Sequence, residues 1–402
     1  MERLFGRMKI HERYPASRAL YTGGRLSFLG YPLRFLLSRL YGFHSSRIGP
    51  AEKPAGTTQE KPLVVSIGNI EWGGGGKTPC TIALCEALID RGERPVVVTR
   101  GYRSDAERSG PFIVTSRRID VGSAGLRFLE EEGLGDKMIG FGGGITSEAV
   151  VQLIGDEPSI YRARGIPVVI DRRRDRGVRI ASRVFDPTHV MLDDAFQNRS
   201  TARDVDIVLL DHENPFGSGE LMPLGSLRER PKAVKRADII IFTRASGHTV
   251  PPEAEKVTSG KPIFFSRHRP TRLVGRAGEE ISYELLRTRK IALLSGIARS
   301  EAFEKMIRSM GCEPVASFRF ADHHRYDTGD IRWMLERLEG DCFVVTTEKD
   351  MVKVKRLFPK GKGLAALLVR MDIDELDRLL ERLPSVKPLR ADRSPREDAT
   401  ST

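Results

Sequence analysis

Four consecutive glycines followed by lysine and threonine, at residues 73–78, constrain the fold of this chain more than any other feature. An apolar run of strand length, Pro62 to Ile67, precedes them, and the helix-like run TIALCEALIDRG follows them. A glycine-rich turn between a strand and a helix lets backbone N–H groups surround a polyphosphate. In that arrangement Lys77 pairs with the β and γ oxygens, and Thr78 holds Mg²⁺. The segment therefore predicts a phosphate-binding loop.

The loop is a variant of the strict pattern GxxxxGK[ST], because Glu71 stands where that pattern has its first glycine. Glu71 also adds a negative charge beside the loop. The simpler interpretation is a glycine-rich turn that carries an incidental lysine, but the strand before it and the helix after it favour nucleotide binding. The predicted ATP-binding residues are Gly73, Gly74, Gly75, Gly76, Lys77 and Thr78.

Apolar runs of strand length continue to alternate with helical or polar stretches after the loop. They are Pro95 to Thr99, Ile166 to Ile170, Val190 to Leu192, Ile207 to Leu210 and Ile239 to Phe242. A second cycle contains the strand Ile291 to Leu294, a helix from Ser300 to Met310 and the strand Phe343 to Val345. This alternation predicts an α/β protein with a mainly parallel sheet and helices on both faces.

Four prolines, at positions 251, 252, 262 and 270, interrupt this pattern and predict a linker within residues 245–275. We therefore expect a P-loop NTPase-type domain over residues 60–245 and a second, smaller α/β domain over residues 275–386. Residues 387–402 are polar and charged, which is typical of a disordered tail.

The N-terminal segment, residues 1–50, is basic and apolar, with no acidic residue between Glu12 and Glu52. Its apolar side chains include a stripe of helical spacing with arginines beside it: Leu33, Leu36, Leu37, Leu40 and Tyr41, flanked by Arg34 and Arg39. This pattern predicts an amphipathic helix that lies in a membrane interface. The alternative is a helix that packs on the core while its arginines are solvated.

The charge and cysteine content narrow the class of protein. Lys and Arg outnumber Asp and Glu by 66 to 54, which predicts an anionic partner: nucleic acid, a phospholipid surface or a phosphorylated substrate. The four cysteines show no CxxC spacing, so neither a zinc site nor a disulfide framework is expected. No stretch reaches the roughly 20 apolar residues of a spanning helix, and the N-terminus lacks a signal-peptide pattern. A cytoplasmic protein is expected.

Two adjacent aspartates, Asp193 and Asp194, follow the apolar run that ends at Leu192. A P-loop needs an acidic group for its metal, normally at the end of a neighbouring strand. Adjacent carboxylates repel each other unless a cation lies between them, which favours a metal-binding role. The alternative is that one of the two caps a following helix.

Seven further motifs accompany the loop in a fixed order. They are Ser66 to Asn69, Thr99 to Tyr102, Gly155 to Pro158, Leu192 to Gln197, Pro223 to Glu229, Asp322 to His324 and Thr347 to Asp350. With them the chain resembles the tetraacyldisaccharide 4′-kinases of lipid A biosynthesis from about residue 25 to residue 355. The resemblance implies a P-loop kinase that uses ATP and Mg²⁺ at the cytoplasmic face of the bacterial inner membrane, as a peripheral protein on an anionic membrane surface. It also implies an acylated disaccharide 1-phosphate lipid as acceptor and lipid IVA as product.

The resemblance also implies a role for individual residues. Asp156 would be the catalytic base and His323 its partner, with Lys77 on the phosphates. The metal would be held by Thr78, Asp193 and Asp194, and the polar network or substrate contacts would come from Glu157, Glu229, Tyr102 and Arg228. The role of Thr347 to Asp350 stays open.

The chain departs from the family pattern at two places. The family usually has His where this chain has Asn198, which puts one polar contact in doubt. Residues 104–154 are longer than the family pattern requires, which suggests a lineage-specific insertion that contains Gly140 to Gly144. We expect this insertion to be a surface loop rather than a second nucleotide site.

Two other classes of protein compete with the kinase interpretation: a P-loop GTPase or ATPase that acts as a regulatory switch, and a nucleic-acid-linked ATPase. A GTPase would carry an NKxD segment after the strand Ile239 to Phe242, where this chain reads Thr243-Arg244-Ala245. The positive charge would suit nucleic acid, but the basic excess lies in the amphipathic N-terminal segment rather than in aromatic-basic stretches. No nucleic-acid partner is therefore expected.

Overall fold

The apolar runs of the sequence form strands of one large sheet in the computed structural model of the protein. The structure describes residues 8–13, 33, 35–41, 61–102, 104–115, 123–134, 136, 138–139 and 153–384. Within these residues fifteen strands share the sheet: β1 (Lys9–Glu12), β2 (Leu63–Asn69), β3 (Pro95–Thr99), β4 (Phe112–Val114), β5 (Met138–Ile139), β6 (Val168–Ile170), β7 (His189–Asp193), β8 (Val205–Asp211), β9 (Ile239–Thr243), β10 (Ile263–Gly275), β11 (Glu280–Ile281), β12 (Ile291–Ser295), β13 (Ala316–Arg319), β14 (Phe343–Thr347) and β15 (Leu364–Ile373).

Helices connect most of these strands. They are α1 (Lys77–Asp90), α2 (Ala106–Ser109), α3 (Ser123–Glu131), α4 (Asp156–Ala163), α5 (Arg174–Phe185), α6 (Pro252–Thr258), α7 (Leu285–Thr288), α8 (Ser300–Ser309), α9 (Thr328–Leu335), α10 (Glu348–Val354) and α11 (Leu376–Glu381), with a 3₁₀ helix at Pro231–Arg236. A further helical segment covers residues 35–41.

The first half of the sheet contains the parallel strands β9, β8, β2, β7, β3 and β6, in that spatial order. Successive side chains of a strand point to opposite faces of the sheet. On β2, for example, Val65 and Ile67 belong to the core on one face, and Val64 belongs to the core on the other. Burial on both faces explains why these strands read as continuous apolar runs, and the predicted parallel α/β architecture is confirmed.

The second half contains β13, β12, β14 and β15, which are also parallel to one another. Its two apolar clusters again lie on opposite faces, with Leu294 on one side of β12 and Leu293 on the other. β1 pairs in parallel with β13 and extends this half by one strand at its outer edge.

The predicted linker at residues 245–275 is regular structure instead. It contains α6 and the 13-residue strand β10, which joins the two halves. Residues Ile263–Phe265 of β10 pair in parallel with β9, and the rest of the strand pairs antiparallel with β15. Pro270 is tolerated because it lies where the β10–β15 register shifts. The prolines therefore mark element ends and a bulge.

The C-terminal end of the described chain returns to the first half. Five apolar side chains from this end lie in the same buried cluster as Val65 and Ile67: Met371, Ile373, Leu379, Leu380 and Leu383. The division into a domain at 60–245 and another at 275–386 remains a prediction, but the core of the first half draws on residues from both ranges.

Part of the long segment 104–154 extends the sheet. β4 pairs antiparallel with β6, β5 pairs with β4, and the three residues of β4 are buried. These described residues are a continuation of the fold rather than a surface loop. Gly140 to Gly144 and the predicted disordered tail at 387–402 lie outside the described residues.

The helical segment 35–41 contacts the first half through Ser38, whose buried hydroxyl donates to the Leu221 carbonyl oxygen at 3.1 Å. Most of its apolar stripe is exposed, with Leu36 at 54% and Leu40 at 56%. A helix that packs only on the core would bury these side chains as well, so their exposure favours the membrane-interface prediction. Arg34 lies outside the described residues. None of the helices that the structure describes has the length and apolar character needed to cross a membrane.

Candidate active site

The glycine-rich loop connects β2 to α1, as the sequence predicts, and Lys77 is the first residue of the helix. Gly73 and Gly76 have φ angles of 107° and 83°, in the left-handed region that favours glycine. No side chain caps the helix at Gly76, so its first N–H groups are available to an anion. The Lys77 ammonium lies 3.2 Å from Asn69 Oδ1 and 3.5 Å from the Gly73 carbonyl oxygen. The loop thus has the geometry of a phosphate site.

Asp193 ends β7 beside this loop. Its Oδ2 accepts hydrogen bonds from the Thr78 hydroxyl at 3.3 Å and from the Tyr161 hydroxyl at 2.8 Å, while its Oδ1 is buried without a hydrogen-bond partner. Burial and the neighbouring Asp194 carboxylate raise the pKa of Asp193 to about 6. A cation beside Asp193 would therefore stabilise its ionised form.

Asp194 follows in the left-handed region with φ of 51°. Its Oδ1 lies 2.8 Å from the Arg228 guanidinium and 3.6 Å from the Lys77 ammonium. Burial opposes ionisation, but these two cations hold the pKa of Asp194 well below its usual range. A turn rather than a helix follows the pair, so the helix-cap alternative is wrong.

The donor set suits Mg²⁺ that arrives with a nucleotide. The described part of the chain has no group of three or more His, Cys, Asp or Glu that could hold a metal alone. Mg²⁺ is usually held by one or two carboxylates together with substrate phosphates and water. The orphaned Asp193 Oδ1 and the Thr78 hydroxyl beside it fit that incomplete protein shell.

Asp156 is the first residue of α4, and His323 follows β13 in the other half of the sheet. The structure brings them together: His323 Nδ1 lies 3.2 Å from Asp156 Oδ2. His323 has a φ of 59°, in the left-handed region that non-glycine residues adopt only occasionally. Burial alone would raise the pKa of Asp156, but the His323 hydrogen bond and the charges of Lys353 and Lys349 hold it well below its usual range. Asp156 is therefore an ionised carboxylate, as a base requires.

The two lysines belong to α10, directly after β14. Lys349 Nζ lies 3.3 Å from His323 Nε2 and 3.4 Å from Glu157 Oε1. Lys353 Nζ lies 3.4 Å from Asp156 Oδ2. Lys349 belongs to the motif Thr347 to Asp350, whose role the sequence left open. This motif therefore contacts the predicted catalytic pair.

One cleft of about 1790 Å³ is lined by residues of both groups, but Asp156 and Lys353 are not part of its lining. Its lining includes Lys77, Asp193 and His323, and the ring of Tyr102 packs edge-on against His323 with 5.5 Å between centroids. Glu229 does not line this cleft: it is buried behind it, where its oxygens accept from Arg199 at 2.6 Å and Arg236 at 2.9 Å. Its link to the cleft runs through Gln197, which also contacts Arg228.

Comparison with known proteins agrees with this geometry. The sequence profile of the family described as Tetraacyldisaccharide-1-P 4'-kinase matches residues 29–125 and 133–385. The chain belongs to this family. A tetraacyldisaccharide 4'-kinase of Anaeromyxobacter dehalogenans strain 2CP-C is 34% identical over 327 residues, covering 78% of each chain, and that of Syntrophus aciditrophicus strain SB is 34% identical over 309 residues, covering 72% of this chain and 75% of the relative.

A solved structure shares the fold. It is the "apo" form of LpxK from Aquifex aeolicus in complex with ATP, with a TM-score of 0.61 and 23% identity, covering 87% of this chain and 96% of that one. Membership of the tetraacyldisaccharide 4'-kinase family makes the chain a kinase and favours lipid phosphorylation over the regulatory GTPase and the nucleic-acid-linked ATPase.

Sequence reasoning missed an ion-pair network that includes two arginines of the cleft lining, Arg244 and Arg299. Asp211 at the end of β8 pairs with both Arg244 and Arg299, and Arg299 also reaches Glu71 Oε2 at 3.1 Å. Arg244 has φ of 56° and donates to the Gly74 carbonyl oxygen at 3.2 Å. The negative charge of Glu71 is therefore balanced by a cation from the other half of the sheet. No sequence signal marked this pairing, because Arg244 was informative only as a departure from a GTPase motif.

Proposed function

We propose that the protein transfers the γ-phosphate of ATP to the 4′-hydroxyl of a tetraacyldisaccharide 1-phosphate and so forms lipid IVA in lipid A biosynthesis. Family membership supports the activity and the acceptor. The observation that carries the proposal is the 3.2 Å contact of Asp156 with His323, a residue that lines the same cleft as Lys77 and Thr78. A base held beside the cleft that contains the phosphate site suits transfer from a nucleotide to a hydroxyl.

In this mechanism Asp156 accepts the proton of the acceptor hydroxyl as the oxygen attacks the γ-phosphorus. The new O–P bond forms as the bond from the γ-phosphorus to the β–γ bridging oxygen breaks, and ADP leaves with that electron pair. Lys77 and the N–H groups at the start of α1 contact the β and γ oxygens. Arg228, which pairs with Asp194 Oδ1 at 2.8 Å, lines the same cleft. Mg²⁺, held by Thr78, Asp193 and Asp194, would neutralise developing phosphate charge.

The cleft is assembled from two parts of the chain. Lys77 and Asp156 come from the range 60–245, and His323 comes from the range 275–386. We expect these ranges to act as a P-loop kinase domain and a second α/β domain, which supply the base and its partner respectively. Glu157 and Tyr102 lie beside the pair and suit contacts with the acceptor.

The exposed stripe of the segment 35–41 supports a membrane-facing role. Leu36 and Leu40 are among its exposed apolar side chains, and Arg39, also exposed, lies with its guanidinium 5.0 Å from the Phe35 ring centre. An apolar face with arginine beside it binds anionic bilayer surfaces. We propose that this segment rests on the cytoplasmic face of the inner membrane, where a lipid acceptor is available.

The activity is tested by incubating the full chain with [γ-³²P]ATP, Mg²⁺ and detergent-dispersed tetraacyldisaccharide 1-phosphate. A labelled lipid is expected. The matched control is Asp156→Asn, which keeps the shape of the base and removes its charge. If the folded wild-type protein labels no lipid, the proposed function is wrong; if Asp156→Asn labels the lipid equally fast, Asp156 is not the base.

The membrane role is tested by the double change Leu36→Glu and Leu40→Glu, because truncation would also remove β1. Both side chains are exposed, so the fold should keep its stability. Co-sedimentation with anionic vesicles should fall, and the KM for the lipid should rise about tenfold while the KM for ATP stays unchanged, because the loss is interfacial. The control pair is Leu36→Ile and Leu40→Ile. Unchanged vesicle binding by the glutamate variant would contradict the role.

A further inference from the structure

The helix α10 presents its lysines to the catalytic pair from a rigid support. The Thr347 hydroxyl accepts from the Asp350 backbone N–H at 3.1 Å and caps the helix. The Asp350 carboxylate is fully buried and accepts from the Gly296 N–H at 2.9 Å and the Tyr326 hydroxyl at 3.1 Å. Lys349 and Lys353 stand four positions apart and therefore lie on the same side of this fixed helix.

Lys349 lies among acidic groups. Its Nζ is 3.4 Å from Glu157 Oε1, 3.3 Å from Asp322 Oδ1 and 3.8 Å from Asp156 Oδ2, and its side chain is 17% exposed. Burial works against the charge, but the carboxylates around it raise the pKa of Lys349. The side chain is therefore an ammonium, which has three donors and no acceptor.

This ammonium also contacts the imidazole. Lys349 Nζ lies 3.3 Å from His323 Nε2, and because an ammonium can only donate, a hydrogen bond between them forms only when the ring nitrogen accepts. In that hydrogen bond Nε2 carries no proton. The neutral ring must carry its proton on Nδ1, which faces Asp156 Oδ2 at 3.2 Å and donates to it.

We propose that Lys349 is a positioning residue that fixes His323 as the neutral Nδ1–H tautomer, so that the ring donates to Asp156. The proposal rests on the proposed function of Asp156 as the base. It gives the motif Thr347 to Asp350 a role: Thr347 and Asp350 fix the start of the helix, and Lys349 sets the protonation state of the imidazole.

The charges around the pair predict what happens without Lys349. Besides that lysine, His323 Nε2 has Glu157 Oε1 at 3.6 Å and Asp322 Oδ2 at 3.7 Å, and both are acceptors. Once the ammonium is gone, these carboxylates favour a proton on Nε2. The ring then becomes the Nε2–H tautomer or an imidazolium. Lys353 pairs with Asp156 Oδ2 at 3.4 Å and with Asp350 Oδ1 at 3.3 Å.

The test is histidine side-chain ¹H–¹⁵N correlation NMR on the full chain, which has eight histidines. The His323 signal is assigned as the one lost in His323→Gln. In the wild-type protein at neutral pH, Nδ1 should show a protonated shift and Nε2 an unprotonated one. In Lys349→Met the Nε2 shift should move to the protonated position. Lys353→Met is the matched control, with the same change on the same helix, and should leave the His323 shifts in place.

Kinetics supply the second readout. Lys349→Met should lower kcat roughly 10-fold to 100-fold, the usual cost of losing a residue that orients a functional imidazole. The KM for ATP should stay unchanged, because Lys77 and Thr78 are intact. Lys349→Arg keeps a charged donor and should restore the tautomer and part of kcat.

An Nε2–H tautomer or an imidazolium in the wild-type protein would overturn the proposal, and that measurement needs no variant to fold. Unchanged His323 shifts in a folded Lys349→Met protein would also overturn it. Neither spectrum depends on lipid turnover, so failure of this proposal is distinct from failure of the proposed function.

Discussion

Two carboxylates at the cleft, the buried Asp193 and the largely buried Asp156, have pKa values that are shifted in opposite directions. Asp193 shares its surroundings with Asp194, has an orphaned oxygen and has its pKa raised to about 6 by burial and that neighbour. Asp156 is also buried, but three cationic or donor groups from the other half of the sheet hold its pKa low. The end of the cleft beside the glycine-rich loop, here called the phosphate end, thus has a carboxylate oxygen without a hydrogen-bond partner, whereas the carboxylate at the end beside His323, the base end, is charged and hydrogen-bonded.

The largest effect is expected at the phosphate end. Lys77→Ala removes the ammonium that faces the β and γ oxygens, and lipid phosphorylation should fall on the order of 10⁴-fold. The fold should survive, because Asp194 keeps Arg228 as a partner. The assay is labelled-lipid formation, with exposed Lys360→Ala as the control. Near wild-type turnover by Lys77→Ala would show that the loop does not hold the phosphates.

The base end should respond differently, because its residues act together. Asp156→Ala and His323→Ala should each lower kcat between about 10²-fold and 10⁴-fold, and the double variant should be little worse than the poorer single one. Nucleotide affinity should persist in all three, which separates this end from the phosphate end.

The pH profile of His323→Ala is a second test of whether His323 and Asp156 act together. The folded pKa of Asp156 is depressed, so the base stays ionised as the pH falls; without the His323 hydrogen bond its pKa rises. The acid limb of kcat/KM should therefore move to higher pH. Multiplicative losses in the double variant together with an unmoved acid limb would show that the two residues do not cooperate.

The smallest expected effect is on the free energy of unfolding of the protein without nucleotide. The folded pKa of Asp193 lies above its unfolded value, so its contribution to the free energy of unfolding is lost as the pH rises from about 4 to about 6. Asp193→Asn should therefore be more stable than wild type at pH 7, by about 1–3 kcal/mol. Asp156→Asn should be less stable by a similar amount, because it leaves buried cations without their partner.

Urea unfolding at pH 4 and pH 7 measures both changes. The advantage of Asp193→Asn should shrink at pH 4, where the wild-type carboxyl is already protonated. If both substitutions lower the free energy of unfolding at pH 7, the prediction that the two carboxylates have opposite effects on stability is wrong.

Much of the fold could be predicted because the parallel strands are buried on both faces and therefore read as apolar runs. β10 was not predicted because its antiparallel part is partly exposed and carries Arg267 and Arg269 among apolar residues. The pattern there resembles a polar loop, and Pro270 strengthened that impression.

The phosphate end of the site could be predicted because its residues lie in short motifs beside predicted strand ends. The pairing of Asp156 with His323 came only from resemblance, since 167 positions separate them. The contact between Lys349 and Glu157 spans 192 positions, and no local pattern indicates which charges will meet across such a distance. Glu229 was predicted from its motif, but it supports Arg199 and Arg236 behind the cleft.

The return of the C-terminal end to the first half has a consequence for biosynthesis. The ribosome delivers β2, α1 and their neighbouring strands long before Leu379, Leu380 and Leu383, yet these side chains share one buried cluster. During translation the early part of the chain keeps part of its apolar surface exposed, because the residues that cover it are synthesised much later. A nascent chain released before about residue 383 should therefore be a client of chaperones or proteases, even though its phosphate-binding loop is already complete.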